Sequence, residues 1–339
     1  MEGSQWVSDK RDGDGRMPRV LITGCMGQIG VELVPYLRQR YGNDNVVASD
    51  IQTGQPAEWA QAPGPFERLD VTRPQDYEAL VSKYRVDYLV HNAAILSGTG
   101  EKNFELAMRV NIRGLETALE LARAHRCARW CHAPSSIAAF GPESGPKELM
   151  PDVVAQRPTT IYGISKLYAE ALGSYYRSKW GVDFRCMRFP GIVSWKQCPS
   201  GGTTDFSTEM FYYALQGSAL KTFRAADTRL PMMYMDDALK ATADILEAPR
   251  EQLRQCVYNV NAFALTPRMV EEAVRAQCPN WTCSYVPDFR QGIAESWPQY
   301  MDDHNAREQW GWSPRFTAPD VFADMFKNLR VKLNLNVAH

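Results

Sequence analysis

The sequence lacks the features that mark membrane and nucleic-acid-binding proteins. It has no apolar run near the roughly 20 residues that a helix needs to span a bilayer. Its 38 basic and 39 acidic side chains leave a net charge of -1, so no excess of positive charge would attract a polyanion or an anionic lipid surface. We therefore expect no nucleic-acid partner and no membrane partner.

The sequence also lacks any Cys-x-x-Cys pair, although it contains eight cysteines. Scattered cysteines in a chain of this length argue against a zinc site and against a disulfide framework. We expect no metal and a reducing compartment. Residues 1–16 lack the apolar core of a signal peptide and carry too many acidic side chains for a typical mitochondrial presequence, and we interpret them as a disordered leader.

What the sequence does contain is a regular alternation of short apolar runs and longer helical patterns. Apolar runs occur at 20–22, 46–48, 88–90, 129–133 and 184–189, and helical patterns at 31–41, 76–84, 103–125 and 162–179. Such β-α-β alternation indicates a parallel sheet with helices on both faces. We predict an α/β fold whose doubly wound, Rossmann-type sheet has six or seven strands and occupies residues 17–190.

The pattern becomes irregular after Gly191, with helical patches at 208–220, 236–247, 267–276 and 319–329. We predict that residues 191–339 form a smaller, mostly helical lobe that binds the substrate and is interleaved with the sheet as one structural unit. Ligands of such folds sit outside the carboxyl ends of the strands, so this lobe should cover them.

Three glycines at a spacing of three residues, Gly24, Gly27 and Gly30, lie between the first strand and the first helix. Without a Cβ they allow a tight turn, close approach of a pyrophosphate and close packing of the helix. The free N–H groups and the dipole of the helix N-terminus, at Gln28 and Ile29, can then hold the phosphates. A strand-to-helix turn without a ligand is the alternative interpretation.

Asp50 ends the second apolar run, some twenty residues after the last glycine. A carboxylate at this position accepts hydrogen bonds from both hydroxyls of an adenosine ribose and repels a 2′-phosphate. The residue therefore favours NAD over NADP as the cofactor. An aspartate that only caps a turn at a strand end is the alternative.

Two further strand ends are expected to contact the cofactor. Leu69 and Asp70 follow the third strand, where they could meet the adenine. His91, Ala93 and Ala94 follow the fourth, where small residues let the phosphates and ribose lie against the backbone. His91 alone is a weak indication, because a lone histidine at a strand end is more often structural than catalytic.

Tyr162 and Lys166 stand four residues apart in a helical pattern, so the phenol and the ammonium group point to one side. A phenol in water loses its proton only at about pH 10, and a neighbouring ammonium group makes it a better base near neutrality. Ser135 and Ser136 precede this helix and can orient a substrate alcohol. A Tyr/Lys pair on an exposed helix surface is the alternative.

Taken in this order, the glycines, the acid, the serines and the Tyr/Lys pair resemble the extended short-chain dehydrogenase/reductase superfamily, over nearly all of 18–330. The resemblance implies a catalytic triad of Ser136, Tyr162 and Lys166. Ser136 is preferred to Ser135 because the family's serine stands four residues before an aromatic-Gly pair, here Phe140-Gly141.

The same resemblance implies roles for several other residues. Asn111 matches the helix asparagine expected near the proton relay and the cofactor. The segment 188–192 matches the loop on the nicotinamide side, so that Phe189, Gly191 and Ile192 should contact NAD, as should Tyr162 and Lys166.

The segments 201–206 and 227–237 are similar to those of the short-chain-type L-threonine 3-dehydrogenases. This resemblance implies oxidation of an amino-acid substrate, L-threonine, at C3 to 2-amino-3-oxobutyrate, as a step of threonine catabolism. We expect the substrate to lie between Ser97 after the fourth strand, the pair Ser136 and Tyr162, and the lid residues Thr203 and Thr204. For the two threonines, loop solvation or an N-cap of the helix at 208–220 are the alternatives.

The resemblance further implies a homodimer that packs through helices 103–125 and 162–179. It also favours the mitochondrial matrix as the compartment, with the cytoplasm as the alternative. Two other functions stay open from the sequence: a sugar-nucleotide epimerase or dehydratase that retains its NAD, and a non-catalytic protein that senses the dinucleotide.

Overall fold

The computed structural model describes residues 16–124, 130–196 and 202–335. The predicted leader, apart from residue 16, and Gly201 of the segment 201–206 lie outside the described residues, as does the end of the helix predicted at 103–125. None of the helices in the described ranges is long and apolar enough to cross a membrane.

The described residues contain one large parallel sheet and two small ones. The strands of the large sheet are β1 (Val20–Thr23), β2 (Val46–Asp50), β3 (Phe66–Arg68), β4 (Tyr88–His91), β5 (Trp130–His132), β6 (Ser135–Ser136) and β7 (Asp183–Phe189), completed by a later strand at Val257–Asn259. From one edge to the other, the order is the later strand, β7, β5, β4, β1, β2, β3, and β6 pairs with β7. Every pairing among these strands is parallel.

Helices cover both faces of this sheet. The helices of this part of the chain are α1 (Gln28–Tyr41), α2 (Pro74–Tyr84), α3 (Ser97–Lys102), α4 (Phe104–Ala107), α5 (Gly114–Ala124) and α6 (Ile161–Trp180). Two later helices are α7 (Phe206–Leu215), which belongs to the C-terminal lobe, and α8 (Met235–Glu247), which packs on the large sheet. Successive strand residues point to opposite faces. Val20 and Ile22 of β1 accordingly pack against α1 and α8, whereas Leu21 packs against α2, α5 and α6. This arrangement confirms the predicted doubly wound α/β fold.

The C-terminal lobe contains more strand than its sequence pattern indicates. Besides α7, its elements are β8 (Gly191–Val193), β9 (Leu220–Thr222), β10 (Leu230–Tyr234), β11 (Val257–Asn259), β12 (Phe263–Leu265), β13 (Cys283–Tyr285), α9 (Pro267–Gln277), α10 (Phe289–Glu295), α11 (His304–Trp310) and α12 (Ala318–Lys332). β11 returns to the large sheet beside β7. β8, β10 and β12 form one small sheet, and β9 pairs with β13 to form the other.

The helices predicted at 208–220 and 103–125 differ most from their predicted extent. The helix predicted at 208–220 ends at Leu215, because Gly217 adopts a φ of +67° and Leu220 then pairs with Cys283, far along the chain. Between α4 and α5 the backbone forms a π-helical turn, Met108–Arg113. Such widened turns are frequent at functional sites, and this one carries Asn111.

Candidate active site

The glycine-rich turn joins β1 to the N-terminus of α1. Gly24 has a φ of +63°, and a Cβ there would lie 2.6 Å from the Cα of Ala93. A Cβ on Gly30 would lie 2.6 Å from the Cα of Cys25. Neither position accepts a side chain, which keeps the turn tight and lets the N-terminus of α1, at Gln28 and Ile29, line an open cleft.

Asp50 holds this turn in place. Its carboxylate accepts a hydrogen bond from the backbone N–H of Met26 at 2.9 Å and from that of Gln52 at 3.0 Å. The residue is buried at the end of β2. The acid thus lies beside the glycine-rich turn. Its contact with a ribose stays a prediction.

The cleft lies between the carboxyl ends of the strands and the C-terminal lobe and has a volume of about 230 Å³. Most of the predicted site residues line it: Gly27, Gln28, Ile29, Ala94, Ser97, Ser136, Tyr162, Lys166, Phe189, Gly191, Ile192, Thr203 and Thr204. The other predicted residues are not part of its lining: Gly24, Gly30, Asp50, Leu69, Asp70, His91, Ala93 and Asn111.

Tyr162 and Lys166 lie in the first turns of α6, which begins where the hydroxyl of Thr160 accepts a hydrogen bond from the N–H of Gly163 at 3.1 Å. The ammonium group of Lys166 lies 5.3 Å from the centre of the Tyr162 ring. It donates a hydrogen bond to the carbonyl of Pro134 at 2.7 Å. The cation is therefore held beside the phenol ring.

Ser136 approaches the same cleft from the end of β6. Its hydroxyl oxygen accepts a hydrogen bond from the N–H of Ala138 at 3.2 Å. Because that bond uses only a lone pair of the oxygen, the hydroxyl proton can be donated to a ligand. Ser135, the alternative serine, instead donates its hydroxyl to the carboxylate of Glu170.

Asn111 connects the π-helical turn to the loop after β4. Its side chain accepts from the N–H of Ile95 at 2.7 Å and donates to the carbonyl of the same residue at 3.0 Å. It also donates to the hydroxyl of Ser165 at 3.2 Å. The amide thus holds the backbone of Ile95, just before α3. Asn111 and Lys166 both line a small internal cavity.

Four of the predicted cofactor residues have structural contacts of their own. Leu69 is buried in the core, and its N–H donates to the carbonyl of Asp50 at 2.8 Å. The carboxylate of Asp70 accepts hydrogen bonds from the N–H and the hydroxyl of Thr72. The N–H of Ala93 donates to the hydroxyl of Thr23. Contacts of these three residues with the cofactor stay predictions.

The fourth, His91, is buried with its Nδ1 atom 3.2 Å from the Tyr77 hydroxyl and 3.4 Å from that of Thr23. Burial, with the nearby charge of Lys166, lowers the pKa of His91 to about 3. The imidazole is therefore neutral at physiological pH. Within the described residues its Nε2 atom is buried without a hydrogen-bond partner, and it lines the same small cavity as Asn111.

A glycine-rich turn, a strand-end acid and a Tyr/Lys pair thus meet around one cleft of a doubly wound sheet. A profile of the NAD dependent epimerase/dehydratase family matches residues 20–261. The chain belongs to this family. Its membership confirms the predicted resemblance to the extended short-chain dehydrogenases/reductases and confirms NAD as the cofactor.

Several members of the family are similar to the chain over most of its length. The mitochondrial L-threonine 3-dehydrogenase of Bos taurus is 44% identical over 308 residues, which cover 91% of this chain and 81% of the bovine one. The crystal structure of L-threonine dehydrogenase from Phytophthora infestans is 43% identical, with a TM-score of 0.87, and covers 93% of this chain and 99% of that one. A structure described as a monomeric L-threonine 3-dehydrogenase from a metagenome is 40% identical, with a TM-score of 0.87. The match covers 93% of this chain and 99% of that one.

The residues of the cleft fit the family's cofactor. The N-terminus of α1 meets the cleft where the glycines leave the backbone uncovered, which suits a pyrophosphate. Gly191 leaves no room for a side chain, because a Cβ there would lie 2.4 Å from the sulfur of Met232. Gly27, Gln28, Lys166 and Gly191 all line the cleft, and their contacts with NAD stay predictions.

Sequence reasoning missed several residues of this site. Asn92, Pro134 and Trp297 line the cleft, and Arg224 lies behind it. Asn92 and Pro134 directly adjoin predicted residues, so their positions at strand ends could have included them. Trp297 and Arg224 belong to segments without clear periodicity, and no sequence signal places them at the cleft.

Gly202 and Asp205 line the cleft too, within the segment that carries Thr203 and Thr204. Asp205, and not a threonine, occupies the N-cap position of α7, and its side chain accepts from the N–H of Gly202 at 2.8 Å. The alternative that a threonine hydroxyl caps this helix is therefore wrong.

Proposed function

We propose that this protein oxidises L-threonine at C3 with NAD, giving 2-amino-3-oxobutyrate. The observation that carries the proposal is the meeting of Ser136, Tyr162 and Lys166 around a cleft of about 230 Å³ that four further hydroxyl-bearing residues also line. The names of the bovine and Phytophthora relatives support the same substrate.

The chemistry divides between the cofactor and the protein. NAD, when bound, supplies the acceptor for the hydride that leaves C3. Tyr162, as phenolate, takes the proton of the C3 hydroxyl. Lys166, whose Nζ atom lies 5.3 Å from the centre of the phenol ring, stabilises that phenolate. Ser136 donates a hydrogen bond to the substrate oxygen and orients it toward the base.

The other end of the substrate needs groups that suit a small zwitterion. Ser97 at the start of α3 and Thr203 and Thr204 before α7 line the cleft opposite the catalytic pair. They supply hydroxyl and backbone N–H donors for the carboxylate, which would cost several kcal/mol to bury without donors. Trp297 adds an aromatic wall next to them.

Incubation of the purified protein with NAD and L-threonine tests this function, with NADH absorbance as the readout. We expect net NADH that depends on threonine. Conversion of a UDP-sugar without net NADH would instead establish a sugar-nucleotide epimerase. Binding of NAD with neither reaction would establish a dinucleotide sensor.

We also propose a homodimer. α5 packs beside α6, and α6 carries the exposed apolar side chains of Ile164, Tyr175 and Trp180, with that of Phe104 on α4 before them. Ile164 and Tyr175 recur eleven residues apart, three helical turns along one side of α6. Tyr175→Glu should dissociate the dimer in sedimentation velocity, whereas a parent protein that sediments as a monomer would contradict the proposal.

For the compartment we propose the mitochondrial matrix, supported by the name of the bovine relative. A fluorescent fusion at the C-terminus, expressed in cultured cells, should colocalise with a matrix marker. Diffuse cytoplasmic fluorescence would contradict this proposal.

A further inference from the structure

A buried carboxylate lies directly beneath the catalytic residues. Glu170 follows Lys166 by four residues and Tyr162 by eight on α6, so the three side chains share one side of the helix. Its carboxylate is buried. It forms a two-pronged ion pair with Arg188, with Nε–Oε1 and Nη2–Oε2 distances of 2.9 and 2.7 Å.

The same carboxylate accepts a hydrogen bond from the hydroxyl of Ser135 at 2.5 Å. Ser135 is flanked by Pro134, whose carbonyl receives the Lys166 ammonium group at 2.7 Å, and by Ser136. Fixing Ser135 therefore fixes two neighbours at once: the carbonyl that holds the lysine and the hydroxyl that faces the cleft.

Arg188 extends this connection to the cofactor side. It stands on β7 immediately before Phe189, which lines the cleft. Its Nη1 atom donates to the carbonyl of Asp152 at 2.7 Å and to the side-chain oxygen of Asn259 at 3.1 Å. The guanidinium therefore uses its remaining donors on the neighbouring strand β11 and on the loop before α6.

We propose that Glu170 and Ser135 are positioning residues, which hold the Pro134 carbonyl so that the Lys166 ammonium group stays beside the Tyr162 phenol. The inference rests on the proposed role of Tyr162 as the base. Without the hydrogen bond between Ser135 and Glu170, the backbone of residues 134–136 could move. The Lys166 ammonium group could then move away from the Tyr162 phenol. The phenolate would then form only at higher pH.

The other ionisable groups around Lys166 do not obscure this effect. They are His91 on β4, His132 on β5 and Cys186 on β7. Burial lowers the pKa of His91 to about 3 and that of His132 to about 4, and it raises the pKa of the Cys186 thiol well above its usual range. All three are neutral between pH 6 and pH 8, so none of them adds charge near the lysine in that range.

Ser135→Ala tests the inference because it deletes one hydroxyl and leaves the Glu170–Arg188 pair intact. We expect kcat for threonine to fall by about tenfold and the pH midpoint of its rise to move up by about half a unit. The Kd for NAD should stay unchanged. Ser174→Ala is the matched control: this half-buried hydroxyl on the same helix bonds to the carbonyl of Glu170 and contacts Cys256, so the pH midpoint should equal that of the parent.

A second measurement does not depend on catalysis. Trace acetylation of the protein without cofactor, followed by peptide mass spectrometry, reports how accessible the Lys166 amine is at a fixed pH. The Lys166 amine should react several times faster in Ser135→Ala than in the parent or in Ser174→Ala. Glu170→Gln, where it folds, should show the same change, because an amide binds Arg188 and Ser135 less tightly.

These two readouts separate the inference from the proposed function. An unchanged pH midpoint or an unchanged labelling rate in Ser135→Ala would overturn the positioning role, whatever happens to thermal stability. If the parent forms no NADH from threonine, the proposed function fails, and the labelling rate alone then decides whether Glu170 and Ser135 position the lysine.

Discussion

Arg224 donates hydrogen bonds from Nε and Nη2 to the main-chain oxygen of Thr203, at 3.1 and 2.6 Å. Its Nη1 atom donates to the carbonyl of Arg290. The guanidinium is fully buried, and burial, together with the charge of Arg290, lowers the pKa of Arg224 to about 9. A charged side chain is thus kept in the interior to hold the segment that presents Thr203 to the cleft.

Arg224→Lys should therefore raise the KM for threonine by about tenfold while the KM for NAD changes little, because an ammonium group cannot reproduce the planar fork of donors. Steady-state kinetics with each substrate varied in turn measures both constants. Arg229→Lys, an exposed arginine shortly after it, is the control and should behave as the parent. A parent-like KM for threonine in Arg224→Lys would mean that the bonds to Thr203 are not needed for binding.

Tyr162→Phe should lower kcat by about 10²- to 10⁴-fold, because it removes the proton acceptor that is used as the transition state forms. The Kd for NAD, measured by calorimetry, should remain close to that of the parent. Tyr175→Phe, an exposed position on the same helix, should retain activity. Turnover of Tyr162→Phe within a few-fold of the parent would exclude Tyr162 as the base.

Asp50→Ala should weaken NAD binding and reduce the preference of the protein for NAD over NADP. The variant loses the negative charge that repels a 2′-phosphate and also the acceptor that holds the Met26 N–H in the glycine turn. Asp44→Ala, exposed just before the same strand, is the control. Calorimetric titration with both dinucleotides gives the ratio of affinities, and an unchanged ratio would assign Asp50 to the turn alone.

Thr203→Val and Ser97→Ala should each raise the KM for threonine about tenfold or more and lower kcat much less. A hydroxyl that bonds the substrate carboxylate holds the ground state and the transition state alike. Thr208→Val removes a buried hydroxyl on α7 and serves as the matched control. Parent-like KM values in both site variants would place the carboxylate elsewhere in the cleft.

Buried histidines should make the protein less stable in acid. The folded pKa values of His91 and His132, about 3 and about 4, lie below the ordinary value of 6.5 because both imidazoles are buried. Below about pH 6.5 the unfolded chain binds protons that the folded chain does not. Each histidine therefore lowers the free energy of unfolding by about 1.4 kcal/mol for every unit by which the pH is reduced.

Urea denaturation of the protein between pH 4 and pH 7 measures this slope. His91→Gln should make the slope shallower by about 1.4 kcal/mol per pH unit, whatever its effect on stability at neutral pH. His304→Gln, an exposed position on α11, should leave the slope as in the parent. Equal slopes in the parent and in His91→Gln would show that His91 gains its proton in the folded state.

Local spacing in the sequence determined much of the site. The period of an α-helix directs Tyr162 and Lys166 to one side whatever surrounds them, and α6 extends only one residue beyond the predicted helix at either end. Gly24 and Gly30 were equally predictable, because only a residue without a Cβ fits a turn of that kind between strand and helix.

Tertiary structure decided which side chains meet across long stretches of sequence. The Ser135–Glu170 and Glu170–Arg188 bonds, and the hold of Arg224 on Thr203, join residues that no periodicity relates. The strand at Leu220–Thr222 forms because Cys283–Tyr285 lies beside it, and a local pattern cannot show such a partner. A sequence pattern fixes the direction of a side chain relative to its own helix or strand, whereas its partners depend on how separate elements pack.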